Sequence, residues 1–143
     1  MKEKELITID TELISFFPFS AMQSFLKTYE NEARQLGKSP YIYALSKLIE
    51  ETLVHLEMSE FSLQIANKYL KFLEETPEVQ SYSRIVLSAA IVYLVTKDST
   101  IELKDWRNSS EISNILNCSN KNMKRKARLI MIKLKEKHPD WIV

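Results

Sequence analysis

The sequence predicts an all-α fold, and three observations support that prediction. Apolar residues recur at spacings of three and four over most of the chain, as on one face of a helix. One glycine and four prolines in 143 residues are few for the many turns of a sheet protein. With 45% hydrophobic and 27% charged residues, the composition is that of a globular domain with a real core.

The N-terminal part is predicted to contain two helices. A short helix is expected from Asp10 to Pro18, and a longer amphipathic helix follows over 20–36. Gly37 ends the longer helix, because glycine readily adopts the left-handed conformation found just past a helix. We therefore divide the chain into an N-terminal helical extension, 1–40, and a helical body, 41–143.

Three helices are predicted in the first half of the body. The first spans 41–57, and the second, capped by Ser59, ends at Glu75 before Pro77. The third, 83–96, is apolar almost all round, which indicates a helix buried on every side. Its β-branched content would also suit a buried strand, but its length and its neighbours favour a helical hub. The long connection 97–108 is expected to anchor Trp106 in the core.

The last third of the chain has the outline of a helix-turn-helix. A short helix over 111–116 is followed by a turn, 117–119, and a long helix that reaches Lys137. Asn117 suits the positive φ of such a turn, Cys118 is expected to point inward, and Ser119 can cap the second helix. Apolar residues are expected to hold the pair to the body: Ile112, Ile115, Leu116, Met123, Ala127, Ile130, Met131 and Leu134.

The charge of the chain is unevenly distributed. Residues 1–99 contain 10 Lys and Arg against 14 Asp and Glu, whereas residues 100–143 contain 10 against 5. Within 119–137 there are eight basic residues and one acid, Glu136. A weakly acidic body with one basic helix favours a contact with nucleic acid, although such a run of charge is also common on a solvated helix face.

The polar residues on the free face of this pair are chemically suited to DNA. Lys and Arg neutralise phosphates, Arg can pair with guanine and Asn with adenine, and base contacts come from the first turn of the second helix. The residues expected on or near that face are Asn120, Lys121, Asn122, Lys124, Arg125 and Arg128.

The order of these helices resembles one cyclin-fold repeat, and more closely the core repeat of transcription factor IIB and archaeal transcription factor B. The matching segments are 45–59, 61–73, 85–94 and 111–129, and Arg34-Gln35-Leu36-Gly37 resembles the linker between the family's two repeats. The sequence has room for one full repeat and no zinc ribbon, and Asn-Cys-Ser replaces the family's usual Gly-Val-Ser in the turn. The resemblance implies a single five-helix cyclin-like repeat, preceded by an extra helix and closed by the helix-turn-helix pair.

The resemblance also implies a function, that of a transcription initiation or accessory factor. It implies that duplex DNA is bound and that TATA-binding protein and RNA polymerase are partners. Carried over by position, the DNA contacts are Ser119, Asn120, Lys121, Lys124, Arg125 and Arg128.

Two other functions remain open. Cyclin folds also serve as protein-interaction modules without DNA binding, and Phe16, Phe17 and Phe19 would suit a partner if exposed, although packing of these side chains on the bundle is favoured. A dimeric helix-turn-helix regulator is the third possibility, and the sequence does not determine the oligomeric state.

No enzyme, cofactor or metal site is expected. His55 and His138 lie on different segments without metal-ligand spacing, and the only glycine, Gly37, excludes a glycine-rich phosphate loop. Cys118 is the only cysteine, so no internal disulfide can form. With neither a membrane span nor a secretory signal apparent in the sequence, an intracellular location is expected.

Overall fold

The computed structural model describes the backbone of residues 19–141 and the side chains of residues 21–140. Within that range the chain forms six α-helices and no strand, which confirms the all-α prediction. The helices are α1 (Phe19–Leu36), α2 (Pro40–His55), α3 (Glu60–Glu74), α4 (Arg84–Thr96), α5 (Ser109–Ile115) and α6 (Asn120–Lys137). Three 3-10 turns connect or follow them: Pro77–Ser81, Leu103–Asp105 and Pro139–Trp141. The short helix predicted from Asp10 to Pro18 and the side chains of Phe16, Phe17 and Phe19 lie outside the described residues.

Helix α4 is the hub of the bundle, as its all-round apolar sequence predicts. It contacts α2, α3, α5 and α6. Ala89 and Ala90 are completely buried, and their small side chains allow close approach of the neighbouring helices. Ser83 caps the helix by accepting a hydrogen bond from the Val86 backbone N–H at 3.4 Å. Because residues 84–96 form a helix that contacts four others, the alternative of a buried strand is excluded.

Helix α1 packs along α2 rather than standing apart from the bundle. Met22, Leu26 and Ala33 form its buried stripe. A second attachment is electrostatic, because the Arg84 guanidinium at the start of α4 forms an ion pair with the Glu30 carboxylate. None of the described helices is long and apolar enough to cross a membrane.

Three helices end in the same way, and the sequence predicts two of these ends. Gly37, Glu57 and Asn117 all have positive φ, at 71°, 58° and 53°. At each end, the next residue donates its N–H to a carbonyl five positions back, at 2.8 to 3.0 Å. Glycine and asparagine are the usual residues for this conformation, but glutamate is not. The prediction that α2 continues to Glu57 is therefore wrong, since the helix ends at His55.

The connection between α4 and α5 differs most from expectation. Trp106 was expected to anchor this segment in the core, but its side chain is 49% exposed. The buried residue is Asp105, only 1% exposed, which accepts hydrogen bonds from the Ser59 backbone N–H at 2.7 Å and from the Ser59 hydroxyl. Ser59 is at the N-cap position of α3 as predicted, but its hydroxyl binds this carboxylate and does not cap the helix.

Arg107 completes the attachment of this segment. Its guanidinium donates to the Leu56 carbonyl at 2.6 and 3.0 Å and to the Glu57 carbonyl at 3.3 Å. A cation therefore lies at the C-terminal end of α2, while the Asp105 anion lies at the N-terminal end of α3. Both charges are favourable with respect to the helix dipoles. This Asp105–Arg107 staple joins the segment to the α2–α3 corner and leaves the intervening Trp106 exposed.

Candidate nucleic-acid interface

The short helix, the turn and the long basic helix predicted in the last third of the chain are present in the described structure. Asn108 and Glu111 form a reciprocal capping box at the start of α5, with bonds of 2.9 and 3.0 Å. Asn117 makes the turn with φ at 53°, and the Ser119 hydroxyl caps α6 by accepting from the Asn122 N–H at 3.0 Å. The turn and its Ser119 cap are confirmed. The capping box was not predicted, although the spacing of Asn108 and Glu111 is its sequence signature.

The apolar face of the pair is attached to the body as predicted. Ile112, Leu116, Met123 and Ile130 are essentially inaccessible, and Met131 is partly buried against the same core. Cys118 is also partly buried, and its burial raises the pKa of the thiol to about 11. The thiol therefore remains protonated at neutral pH and is a packing group of the turn.

Four exposed cations form the outer face of the first part of α6, over 121–128. Lys121, Lys124, Arg125 and Arg128 line one shallow depression of about 410 Å³, and no acidic residue lines it. Their spacing of three, four and seven residues places them on one side of the helix over roughly 10 Å. None of them forms an ion pair with a described residue. We refer to these four side chains as the four-cation surface.

Three of the other four cations of α6 are engaged with the body, and the fourth, Lys135, is exposed. The Lys126 ammonium lies 3.9 Å from the Tyr82 ring centroid, and the Lys133 ammonium lies 3.5 Å from the Glu78 carboxylate. Lys137 donates to the Glu75 carbonyl at 3.0 Å. A hydrogen bond from its own backbone and the neighbouring Lys133 charge lower the pKa of Glu78. The basic helix therefore has one side directed to the protein and one side free for another anion.

Two of the predicted contact residues have structural roles. Asn120 was placed on or near the free face, but it is half-buried, and its amide donates to the Ser109 hydroxyl at 3.1 Å. Its side-chain oxygen is buried without a partner among the described residues. Asn120 thus ties α5 to α6 across the turn and does not project from it. Ser119 is exposed, but its hydroxyl already accepts the capping bond of α6.

A neighbouring groove between α4 and α6 was not predicted. Tyr93 and Leu94 of α4 and Lys124, Ala127, Arg128 and Met131 of α6 line this groove, whose volume is about 220 Å³. Lys97, at the end of α4, places its ammonium 5.4 Å from the Tyr93 ring centroid. The one signal for this groove in the sequence was Tyr93, which has a polar hydroxyl on an otherwise apolar helix.

The described residues contain no group of three His, Cys, Asp or Glu side chains that could hold a metal ion. His55 is hydrogen-bonded to the Glu51 carboxylate at 2.6 Å, one turn away on α2. His138 lies 3.4 Å from the Glu75 carboxylate beside the end of α6. The two histidines thus have separate local partners.

Comparisons with protein-family models, curated proteins and solved structures find no match to this chain. The functional proposal therefore depends on the residues of the chain itself, and on the arrangement of charge on α6 above all.

Proposed function

We propose that the protein binds duplex DNA through the four-cation surface and acts as a transcription initiation factor or accessory factor. The observation that supports this proposal best is the division of charge on α6. Lys126, Lys133 and Lys137 are satisfied by groups of the protein, whereas the four cations on the other side have no acidic partner among the described residues. A bound polyanion would supply that partner.

The chemistry of the proposed contact follows from the positions of these side chains. Each phosphate neutralised by a Lys or Arg releases condensed counterions, which favours binding at low salt. Lys121 and Arg125 lie in the first two turns of α6, where helix-turn-helix proteins place the side chains that contact bases. Arg125 has the donors for a bidentate contact with guanine, while Lys124 and Arg128 are suited to the phosphates on either side.

The helix order supports the finer assignment to a single cyclin-like repeat of the transcription factor IIB class. Helices α2 to α6 would be the five helices of the repeat, with α4 as its central helix and α5–α6 as its closing pair. Helix α1 would be the additional N-terminal helix. TATA-binding protein and RNA polymerase are the partners that this resemblance implies, and an intracellular location accompanies them.

The proposal is tested by measuring duplex DNA binding over a series of salt concentrations. The test variant is Lys124→Glu with Arg125→Glu. We expect its affinity to fall by about tenfold or more at low salt, because two phosphate contacts are lost and two repulsions are added. The slope of log K against log salt should become shallower by about 2, close to 0.9 for each lost contact.

A matched control makes the same change of charge on another helix. Lys68 and Lys71 are exposed on α3, one turn apart and away from α6 in the sequence. Lys68→Glu with Lys71→Glu should leave the affinity within about twofold if the contact is local to α6. Absence of DNA binding by the parent protein at low salt would contradict the proposal. Equal losses in both double variants would indicate a non-specific effect of net charge.

A protein-interaction module without DNA binding is the second candidate, and one observation favours it. Leu103 is 88% exposed and Trp106 is 49% exposed, and both lie on the segment that the Asp105–Arg107 staple holds in place. Large apolar side chains presented on a fixed segment are typical of contact surfaces. If the parent protein binds no DNA but co-purifies with TATA-binding protein or polymerase, and Leu103→Ser abolishes that association, this candidate is preferred.

A further inference from the structure

The groove between α4 and α6 adjoins the four-cation surface. Lys124 and Arg128 belong to both, since they line the groove and also the depression that contains Lys121 and Arg125. An anion held by these two side chains therefore lies at the edge of the groove. We refer to the groove between α4 and α6 as the Tyr93 groove, because Tyr93 forms part of its wall.

The interior of the Tyr93 groove differs chemically from its edge. Met131 lines the groove together with Leu94 and Ala127, which are only 7% and 2% exposed, and the half-buried Tyr93 provides an aromatic ring. The Tyr93 hydroxyl makes no hydrogen bond to a described residue. The Lys97 ammonium lies over this ring, 5.4 Å from its centroid, so a base that stacks on that face displaces it. An aromatic and apolar slot edged by cations suits a flat apolar group that carries a negative charge at one side.

An unpaired nucleotide has that combination of properties. Its base presents two flat apolar faces that can stack on a tyrosine ring, and its phosphate can lie between Lys and Arg. A base within an intact duplex is stacked on its neighbours and does not leave the helix without an energetic cost. The groove volume of about 220 Å³ is enough for one base.

We infer that the Tyr93 groove receives one unpaired base of the nucleic acid held by the four-cation surface. This inference rests on the proposed function and specifies its ligand: DNA that has a single-stranded segment beside the duplex. Lys124 and Arg128 would hold the phosphate of that nucleotide, and Tyr93 would stack on its base.

The test compares three fluorescent probes of one sequence by anisotropy: a blunt duplex, the same duplex with a four-nucleotide overhang, and the single strand. The parent protein should bind the overhang probe roughly 5- to 150-fold more tightly than the blunt duplex, the range expected for one stacked base. Tyr93→Leu should remove this gain because it keeps an apolar side chain but lacks a ring. Tyr93→Phe should retain most of it.

Tyr69→Leu is the matched control, because Tyr69 is also half-buried but belongs to α3. This variant should keep the overhang preference. Circular dichroism and thermal unfolding of each variant show whether it is folded, and Tyr93→Phe remains informative if Tyr93→Leu is not.

The outcomes separate this inference from the proposed function. Equal affinity of the parent for blunt and overhang probes, with binding still lost in Lys124→Glu with Arg125→Glu, would overturn the inference alone. An overhang preference that survives Tyr93→Leu, or that is lost equally in Tyr93→Phe, would also overturn it. After either result, a side chain of a protein partner would be the preferred occupant of the groove. No binding of any probe by the parent would overturn both.

Discussion

Replacing Asp105 should destabilise the whole bundle, although the residue lies in a connection between helices. The Asp105–Arg107 staple attaches this connection to the α2–α3 corner. Asp105 binds Ser59 there, 46 residues earlier in the chain. In Asp105→Asn the side chain keeps its shape but loses its charge. The variant therefore measures the contribution of the carboxylate with little change in packing.

The magnitude follows from the two bonds that the carboxylate accepts from Ser59. A hydrogen bond to a charged group contributes about 1.5–3 kcal/mol, and a neutral one contributes about 1 kcal/mol. The anion also gains about 0.3–1 kcal/mol from its position at the N-terminal end of α3. Asn still accepts from the Ser59 N–H, so we expect Asp105→Asn to lower the free energy of unfolding by about 2 kcal/mol. For a chain of this length, that corresponds to a fall in Tm of roughly 6–8 °C.

The pH dependence of this effect is specific to the carboxylate. Burial raises the pKa of Asp105, but the hydrogen bonds from Ser59 and the nearby Lys104 charge outweigh burial, so the pKa is lowered from its ordinary value of 3.8. A carboxyl group whose pKa is lower in the folded state stabilises the fold above its unfolded pKa. This contribution is lost as the pH falls through the folded pKa. The difference in free energy of unfolding between the parent and Asp105→Asn should therefore have its full value at pH 7 and should decrease below pH 3.8.

Urea unfolding followed by far-UV circular dichroism at several pH values measures both expectations. Glu102→Gln is the control, because Glu102 lies in the same segment but its carboxylate is 67% exposed beside Lys104. An exposed pair of this kind contributes about 0–1 kcal/mol. If Asp105→Asn were no less stable than Glu102→Gln at pH 7, the staple would not have the role assigned to it. The staple would also not have this role if the stability deficit of Asp105→Asn were unchanged at acid pH.

Two further predictions concern the turn between α5 and α6. Asn117→Ala should lower the free energy of unfolding by about 1 kcal/mol, because alanine is strained at a φ of 53°, whereas Asn117→Gly should not. Urea titration checks this against Asn114→Ala on the exposed side of α5, and equal stability of both Asn117 variants would exclude strain as the cause. Cys118 should react with a thiol reagent at pH 8 about 100-fold more slowly in the native protein than in urea, because burial raises its pKa to about 11. The absorbance of the thiolate that the reagent releases measures this rate. Equal rates in the native protein and in urea would contradict the burial of the thiol.

Helix positions were largely predictable because they depend on neighbours in the sequence. The apolar stripes of α1 to α3, the all-round apolar α4 and the turn at Asn117 all follow from local spacing and local backbone preference. The end of α2 was misplaced because Glu57 adopts a conformation that its own residue type does not favour. Tertiary contacts decide the conformation at such a position.

The Asp105–Arg107 staple could not be predicted by the same reasoning. A tryptophan is a better candidate for burial than an aspartate when each is considered alone. Asp105 is buried because the N-terminal end of α3 provides two donors for it, and those donors are 46 residues away. The cost of burying a charge is offset only by partners that the fold assembles.

For the candidate interface, the sequence by itself determined the short helix, the turn and the long helix, the Ser119 cap and the concentration of eight basic residues within 119–137. It did not determine which of those charges are free. Only the tertiary structure brings Tyr82, Glu78 and Glu75 against one side of α6 and thereby leaves the four-cation surface on the other. It also places Tyr93 of α4 beside Lys124 and Arg128. The physical reason is that helix formation and capping involve residues three to five positions apart, whereas the pairing of a charge depends on which distant group the folded chain places within a few ångströms of it.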